Sequence, residues 1–275
     1  MKSRKTIYPL VIIILIITSF FVVPGAFADD PEARAIMEKV DARDDGDNMT
    51  SRMEMILIDK KRKRRIRKIR NYRKYKGKDT LKIMFFLHPA DVKDTGFLTF
   101  DYDDPDRDDD QWLYLPALRK TKRIASSDKS GSFMGSDFTY ADMTSRDLED
   151  YDFTFYEKKK AMDVKGAKTW VIWSIPRTRE VIDETGYEKS LLFVRQDNFV
   201  VIRAKHWVRD GGYLKYLDVK QLDRIDGIWI GTEIHMTKKK GKETIHKTEL
   251  KLSDVKFNQD LSFELFTVRR LEKGL

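Results

Sequence analysis

The chain has 275 residues, 41% hydrophobic, 36% charged and 12% aromatic, with 54 Lys and Arg against 45 Asp and Glu and a formal net charge of +9. That apolar fraction excludes a wholly disordered chain, and 14 Gly with 7 Pro exclude a collagen-like one, while the length suits one sizeable core. With no cysteine, thiol catalysis, disulfides, zinc–thiolate sites, iron–sulfur clusters and acylation on cysteine are excluded together.

Lys2, Arg4 and Lys5 precede an apolar run from Ile7 to Val23, and Ala26-Phe27-Ala28 supplies the small-x-small pattern of a signal-peptide cleavage site. The expectation is cleavage after Ala28 and export to a periplasm, leaving 29–275 as a single domain. The alternative is an uncleaved anchor, since about 17 apolar residues lie near the lower limit for a span. Asp30-Pro31-Glu32 then reads as N-cap, N1 proline and first-turn acid, with Ala33, Ile36, Met37 and Val40 on one helical face.

Beyond that helix the apolar residues recur with a strand period. Met49, Met53, Met55 and Leu57 begin the series, and runs at 80–87, 97–100, 111–115, 151–157, 169–175, 191–195, 199–209, 213–222, 228–236 and 244–252 continue it. Turn signals such as Asp210-Gly211-Gly212, Asp226-Gly227 and Lys240-Gly241 leave short gaps, which parallel strands do not allow. A mainly β fold of about ten or eleven antiparallel strands follows. The segment 126–150 breaks the rhythm. Its Thr139-x-x-Asp142 and Thr144-x-x-Asp147 resemble capping boxes, so short helical turns lying across the sheet as a lid or plug are expected. Several strands are apolar on both faces: Trp112 and Tyr114 oppose Leu113 and Leu115, and Trp170 opposes Val171. A two-layer packing and a curved sheet lining an apolar pocket both account for this, and composition does not separate them.

Catalytic signatures are sparse. His88, His206, His235 and His246 form no metal-spaced pair, and GxSxG, Walker and GxGxxG motifs do not occur. Ser126-x-x-Lys129 lacks its partner motifs, and Asp104-x-Asp106-x-Asp108 has Asp109 and Leu115 where a calcium loop needs Gly and Glu. That loop reads as a solvated, self-repelling hairpin tip, with weak calcium binding as the alternative. No enzyme activity, metal or cofactor is expected. Residues 60–78 hold 13 Lys or Arg in 19 positions. In an exported chain such a run meets lipid head groups or acidic protein faces rather than nucleic acid, unless it only protects a sheet edge. Arg62, Lys63, Arg64, Arg65 and Arg67 are its candidate docking residues.

Three long stretches carry a family likeness. They are Phe86-Leu87-His88-Pro89-Ala90-Asp91-Val92-Lys93-Asp94-Thr95-Gly96-Phe97-Leu98, then Gln111-Trp112-Leu113-Tyr114-Leu115-Pro116-Ala117-Leu118-Arg119, then Ser132-Phe133-Met134-Gly135-Ser136-Asp137-Phe138-Thr139-Tyr140. Together with Phe266-Thr267-Val268-Arg269-Arg270-Leu271-Glu272 they resemble the outer membrane lipoprotein-sorting protein family. The resemblance implies a LolA-like open half-barrel, a strongly curved antiparallel sheet whose helices cover an apolar cavity. It implies a non-enzymatic carrier or chaperone for a lipid or acylated lipoprotein, or alternatively an accessory docking on an RND-type exporter with the cavity incidental. The family's latch arginine has no matching motif here. A monomer is expected, with Met53, Met55, Trp112, Tyr114, Phe133, Met134, Phe138, Tyr140 and Trp170 as candidate ligand-binding residues.

Overall fold

A computed structural model describes residues 29–275, so the expected signal peptide lies outside the described residues. Asp30 caps α1 (Pro31–Asp41) as expected, its carboxylate accepting from the backbone N–H groups of Glu32 and Ala33. Six strands follow: β1 (Asn48–Asp59), β2 (Arg64–Lys76), β3 (Asp79–His88), β4 (Gly96–Asp101), β5 (Asp110–Leu115) and β6 (Lys120–Arg123). After the 126–150 insertion come β7 (Tyr151–Phe155), β8 (Ala161–Val164), β9 (Ala167–Pro176), the short α2 (Arg179–Thr185), β10 (Tyr187–Arg195), β11 (Val201–Val208), β12 (Tyr213–Ile225), β13 (Ile228–Lys240) and β14 (Glu243–Phe257). The chain closes with α3 (Val268–Lys273).

All fourteen strands belong to one antiparallel sheet, ordered β6-β5-β4-β3-β2-β1-β14-β13-β12-β11-β10-β9-β7, with β8 on β9. Two meanders therefore run outward from a central seam where β1 pairs with β14. The sheet is open, since β6 and β7 end it without pairing to each other. This is the expected half-barrel, with three more strands than the period revealed: β2, β6 and β8.

The insertion shows how strongly the sheet curls. The Tyr140 carbonyl accepts a hydrogen bond from Gln111 of β5, and two residues on Asp142 accepts one from Tyr187 of β10. Those strands lie nine steps apart in the order, roughly 43 Å on a flat sheet at about 4.8 Å per step. Two residues of chain reach only about 7 Å. The sheet wraps around the insertion.

That curvature settles the two apolar faces. Inside, α1 packs Ala33, Ile36 and Met37 onto Phe153, Phe155, Ile172 and Leu192 of one arm. Outside, the C-terminal segment covers the other arm: Phe266 and Leu271 pack on Leu81, Ile83, Phe85 and Leu98. Gly96 makes this close docking possible, since a Cβ there would lie 2.6 Å from Leu271 Cδ1. No helix among the described residues is long and apolar enough to cross a membrane.

Candidate functional site

The concave side of the β1–β5 arm is an apolar floor. Met53, Met55 and Leu57 of β1, Ile69 of β2, Met84 and Phe86 of β3, Phe97 of β4 and Leu113 of β5 form it, all buried. They share a face because each lies at alternate positions of paired strands.

The insertion fills this floor rather than roofing it. A tight turn at 132–136, with Met134 at φ +50° and Gly135 at φ +73°, drives Phe133 downward. The Phe133 N–H donates to the Phe138 carbonyl at 2.8 Å, and a single bridge joins Ser132 to Thr139. Phe133 is 0% exposed, its ring 4.9 Å from Phe97, 5.6 Å from Tyr140 and 6.3 Å from Phe86. Met134 and Tyr140 pack at the margin, Phe138 is buried, and Arg67 of β2 donates to the Met134 carbonyl. Six of the expected ligand-binding residues are thus brought together: Met53 and Met55 as floor, Phe133, Met134, Phe138 and Tyr140 as plug.

Polar contacts hold the plug down. Asp137 sits on β14, where its N–H donates to Thr248 Oγ1 at 2.9 Å and its carboxylate accepts from that hydroxyl at 2.8 Å and lies 2.7 Å from His246 Nδ1. Thr139 and Asp142 form the expected reciprocal capping box, at 2.8 and 3.1 Å. Thr144 and Asp147 do not, because the Thr144 hydroxyl turns back to the Ala141 carbonyl.

Beyond Asp142 a polar seam separates the apolar floor from the arm under α1. Tyr187 donates to Asp142 at 2.8 Å, Lys215 donates to Tyr187 at 3.2 Å, and the Tyr187 ring stacks on His206 at 4.7 Å. Burial, then the Asp142 charge, pushes the Tyr187 hydroxyl well above its ordinary value, and burial lowers Lys215. Burial also takes His206 down to about 3, which keeps it neutral. For Asp142 burial alone would raise the carboxyl, but Lys215 and Arg146 outweigh it and hold it below the usual range. His206 Nδ1 lies 2.7 Å from Ser190 Oγ, and both are buried.

The remaining expected residues lie elsewhere. Trp112 and Tyr114 alternate with Leu113, so they point outward beneath the C-terminal segment, with Trp112 edge-on to Phe100 at 5.1 Å. Trp170 is concave but belongs to the opposite arm, stacked on Phe199 at 5.6 Å. Arg62, Lys63, Arg64 and Arg65 crowd the exposed β1–β2 tip, where Arg64 reaches Glu249 at 3.4 Å. Asp137, Thr248, Tyr187 and Lys215 were not foreseen. The one available signal was Lys215, a cation at an inward position of an alternating strand.

Two acidic clefts open beside the insertion. One, of about 450 Å³, is lined by Asp41, Asp101, Asp103, Arg146, Asp147 and Glu149, and a smaller one of about 220 Å³ by Asp108, Asp109, Asp150 and Glu184. Burial first, then neighbouring carboxylates, pushes Asp109 to about 6 and Asp147 to about 7. Among the described residues no group of three such side chains is arranged to hold a metal ion.

A family model described only as an uncharacterized protein matches residues 78–273. No curated protein matches the chain in sequence. Among solved structures, a domain named for outer membrane lipoprotein sorting from Vibrio parahaemolyticus is 31% identical, with a TM-score of 0.78 over 88% of this chain and 98% of that one. A DUF1329 family protein from Desulfovibrio piger is 27% identical, with a TM-score of 0.79 over 89% and 99%. A LolA superfamily protein from Nitrosomonas europaea shares the fold at 20% identity, with a TM-score of 0.64 over 86% and 98%.

Proposed function

Because the chain belongs to the outer membrane lipoprotein-sorting protein family, we propose that it is a non-enzymatic carrier that shelters an acyl chain of a lipid or lipid-anchored protein on the concave floor of β1–β5. The proposal includes its place: a single domain, 29–275, released into the periplasm by cleavage after Ala28. One observation carries it. A phenylalanine of the insertion, Phe133, occupies a methionine-rich floor and is held there by a single 3-10 turn and a few polar contacts rather than by a strand or an α-helix. Met53, Met55 and Met84 suit cargo of varied shape, since thioether side chains repack easily.

The energetics favour exchange. Displacing Phe133 gives up about 1.5–3 kcal/mol of burial. Each sheltered methylene returns about 0.8 kcal/mol, so about four offset the ring and ten leave a surplus of roughly 5 kcal/mol. Before the cost of immobilising the ligand is subtracted, a surplus of that size limits the Kd to no tighter than about 0.1 mM, weak enough for release.

The plug is therefore a competitor, and removing it tightens binding. Phe133→Ala should bind a fluorescent fatty acid about tenfold more tightly than the wild type, the lower end of the displaced burial. Because such a truncation costs about 3–5 kcal/mol of stability, Phe133→Leu serves as a milder variant, with far-UV circular dichroism to verify folding. Folded variants that bind no better than the wild type overturn the plug, and a wild type that binds no fatty acid overturns the carrier. Native mass spectrometry of periplasmic protein should find co-purified lipid.

A further inference from the structure

Two hairpin tips beside the central seam form one basic rim, and we propose that this rim docks the protein on an anionic lipid surface. The first tip, 59–68, holds eight Lys or Arg among ten residues, with Asp59 as its one acid. The second, 238–247, holds five Lys with Glu243. They are far apart in sequence, but the pairing of β1 with β14 sets Ile58 opposite Lys247 and Asp59 opposite His246. Both tips project side by side from the same end of the sheet.

Lys60, Lys61, Arg62, Lys63, Arg64, Arg65, Lys240 and Lys242 are all exposed. Asp59 is committed to its own turn, accepting from the N–H groups of Lys61 and Lys63 at 2.8 and 2.9 Å. Among the described residues, Glu249 is the carboxylate that pairs with a Lys or Arg of either tip, reaching Lys247 at 2.7 Å and Arg64 at 3.4 Å. On the β1–β5 arm the opposite end has the opposite sign. Seven of the ten residues 101–110 are Asp, and Thr80 pairing with Asp101 places that loop at the end away from the tips. Along the strands of the β1–β5 arm charge is thus polarised, which turns the basic rim toward any anionic surface.

The rim's composition decides the partner. A specific protein interface has an aromatic or apolar centre from which charge is depleted. Here Ile66, 42% exposed, is the one large exposed apolar side chain amid the cations of the first tip. Dispersed Lys and Arg suit a diffuse layer of head groups, where each cation within a Debye length of about 8 Å contributes separately. This docking stands whether or not the concave floor carries cargo.

Co-sedimentation with phosphatidylcholine vesicles, with and without phosphatidylglycerol, tests it. The protein should bind only the anionic vesicles, and binding should fall steeply as salt rises. At about 1 kcal/mol, or fivefold, per cation, K61Q/R62Q/K63Q should weaken partitioning about 150-fold and K240Q/K242Q about 30-fold. If the second set binds like the wild type, the joint rim is wrong. If the wild type ignores anionic vesicles at low salt, the lipid surface is wrong, and an acidic protein face, such as that of an exporter, takes its place.

Discussion

Asp147 offers a test of the acidic clefts that needs no ligand. Burial and the nearby charges of Asp109, Asp150 and Asp101 raise its carboxyl from 3.8 to about 7. A carboxyl raised on folding is protonated in the native state while the unfolded chain has already lost the proton, so stability falls as pH climbs between about 4 and 7. The displacement sets a ceiling of about 4 kcal/mol, and a cleft open to solvent on one side screens this to about 1–2 kcal/mol. His206 works the other way: lowered to about 3 by burial, it resists a proton that the unfolded chain takes up below about 6.5, so stability also falls on the acid side. The wild-type curve is therefore a dome, and the difference between two proteins isolates Asp147. Asp147→Asn should melt with the wild type at about pH 4 and above it by roughly 2–8 °C at about pH 8, given about 2–4 °C per kcal/mol at this chain length. Differential scanning calorimetry at both pH values reads this. An equal offset at the two pH values, or a variant that melts lower at the higher one, refutes the argument.

Asp137→Asn weakens charge-assisted bonds to Thr248 and His246, at a cost of about 1–3 kcal/mol; hydrogen exchange should quicken at 132–140 while β1 and β14 stay protected. Gly96→Ala forces a methyl against Leu271, so denaturant titration should show a loss of about 1–3 kcal/mol, and the Gly96→Ala/Leu271→Ala double variant should lose less than the sum of the two single losses.

What the sequence disclosed and withheld follows from the range of the interactions involved. The hairpins of the second meander were legible because each is local: Asp210-Gly211-Gly212 and Asp226-Gly227 sit between alternating runs that pair with their immediate neighbours. β2 was hidden because its inward positions include Arg65, Arg67, Asn71 and Arg73, side chains that mask a period of two, and β6 contains no apolar residue at all. Alternation told Trp112 from Leu113 by face but gave no sign of which face was concave, since that depends on a curl produced by strands from both ends of the chain. The same limit made Phe133 ambiguous. An aromatic, glycine-hinged loop reads identically as lid or plug until the sheet curves far enough for Gln111 and Tyr187 to grip residues two apart. The basic rim is the clearest case: half of it was conspicuous in 60–78, and the other half joined it only through the seam between β1 and β14, the longest-range strand pairing in the sheet. Non-local pairing is where composition stops being informative, and in this fold it is also where the floor, the plug's anchor on β14 and the rim all meet.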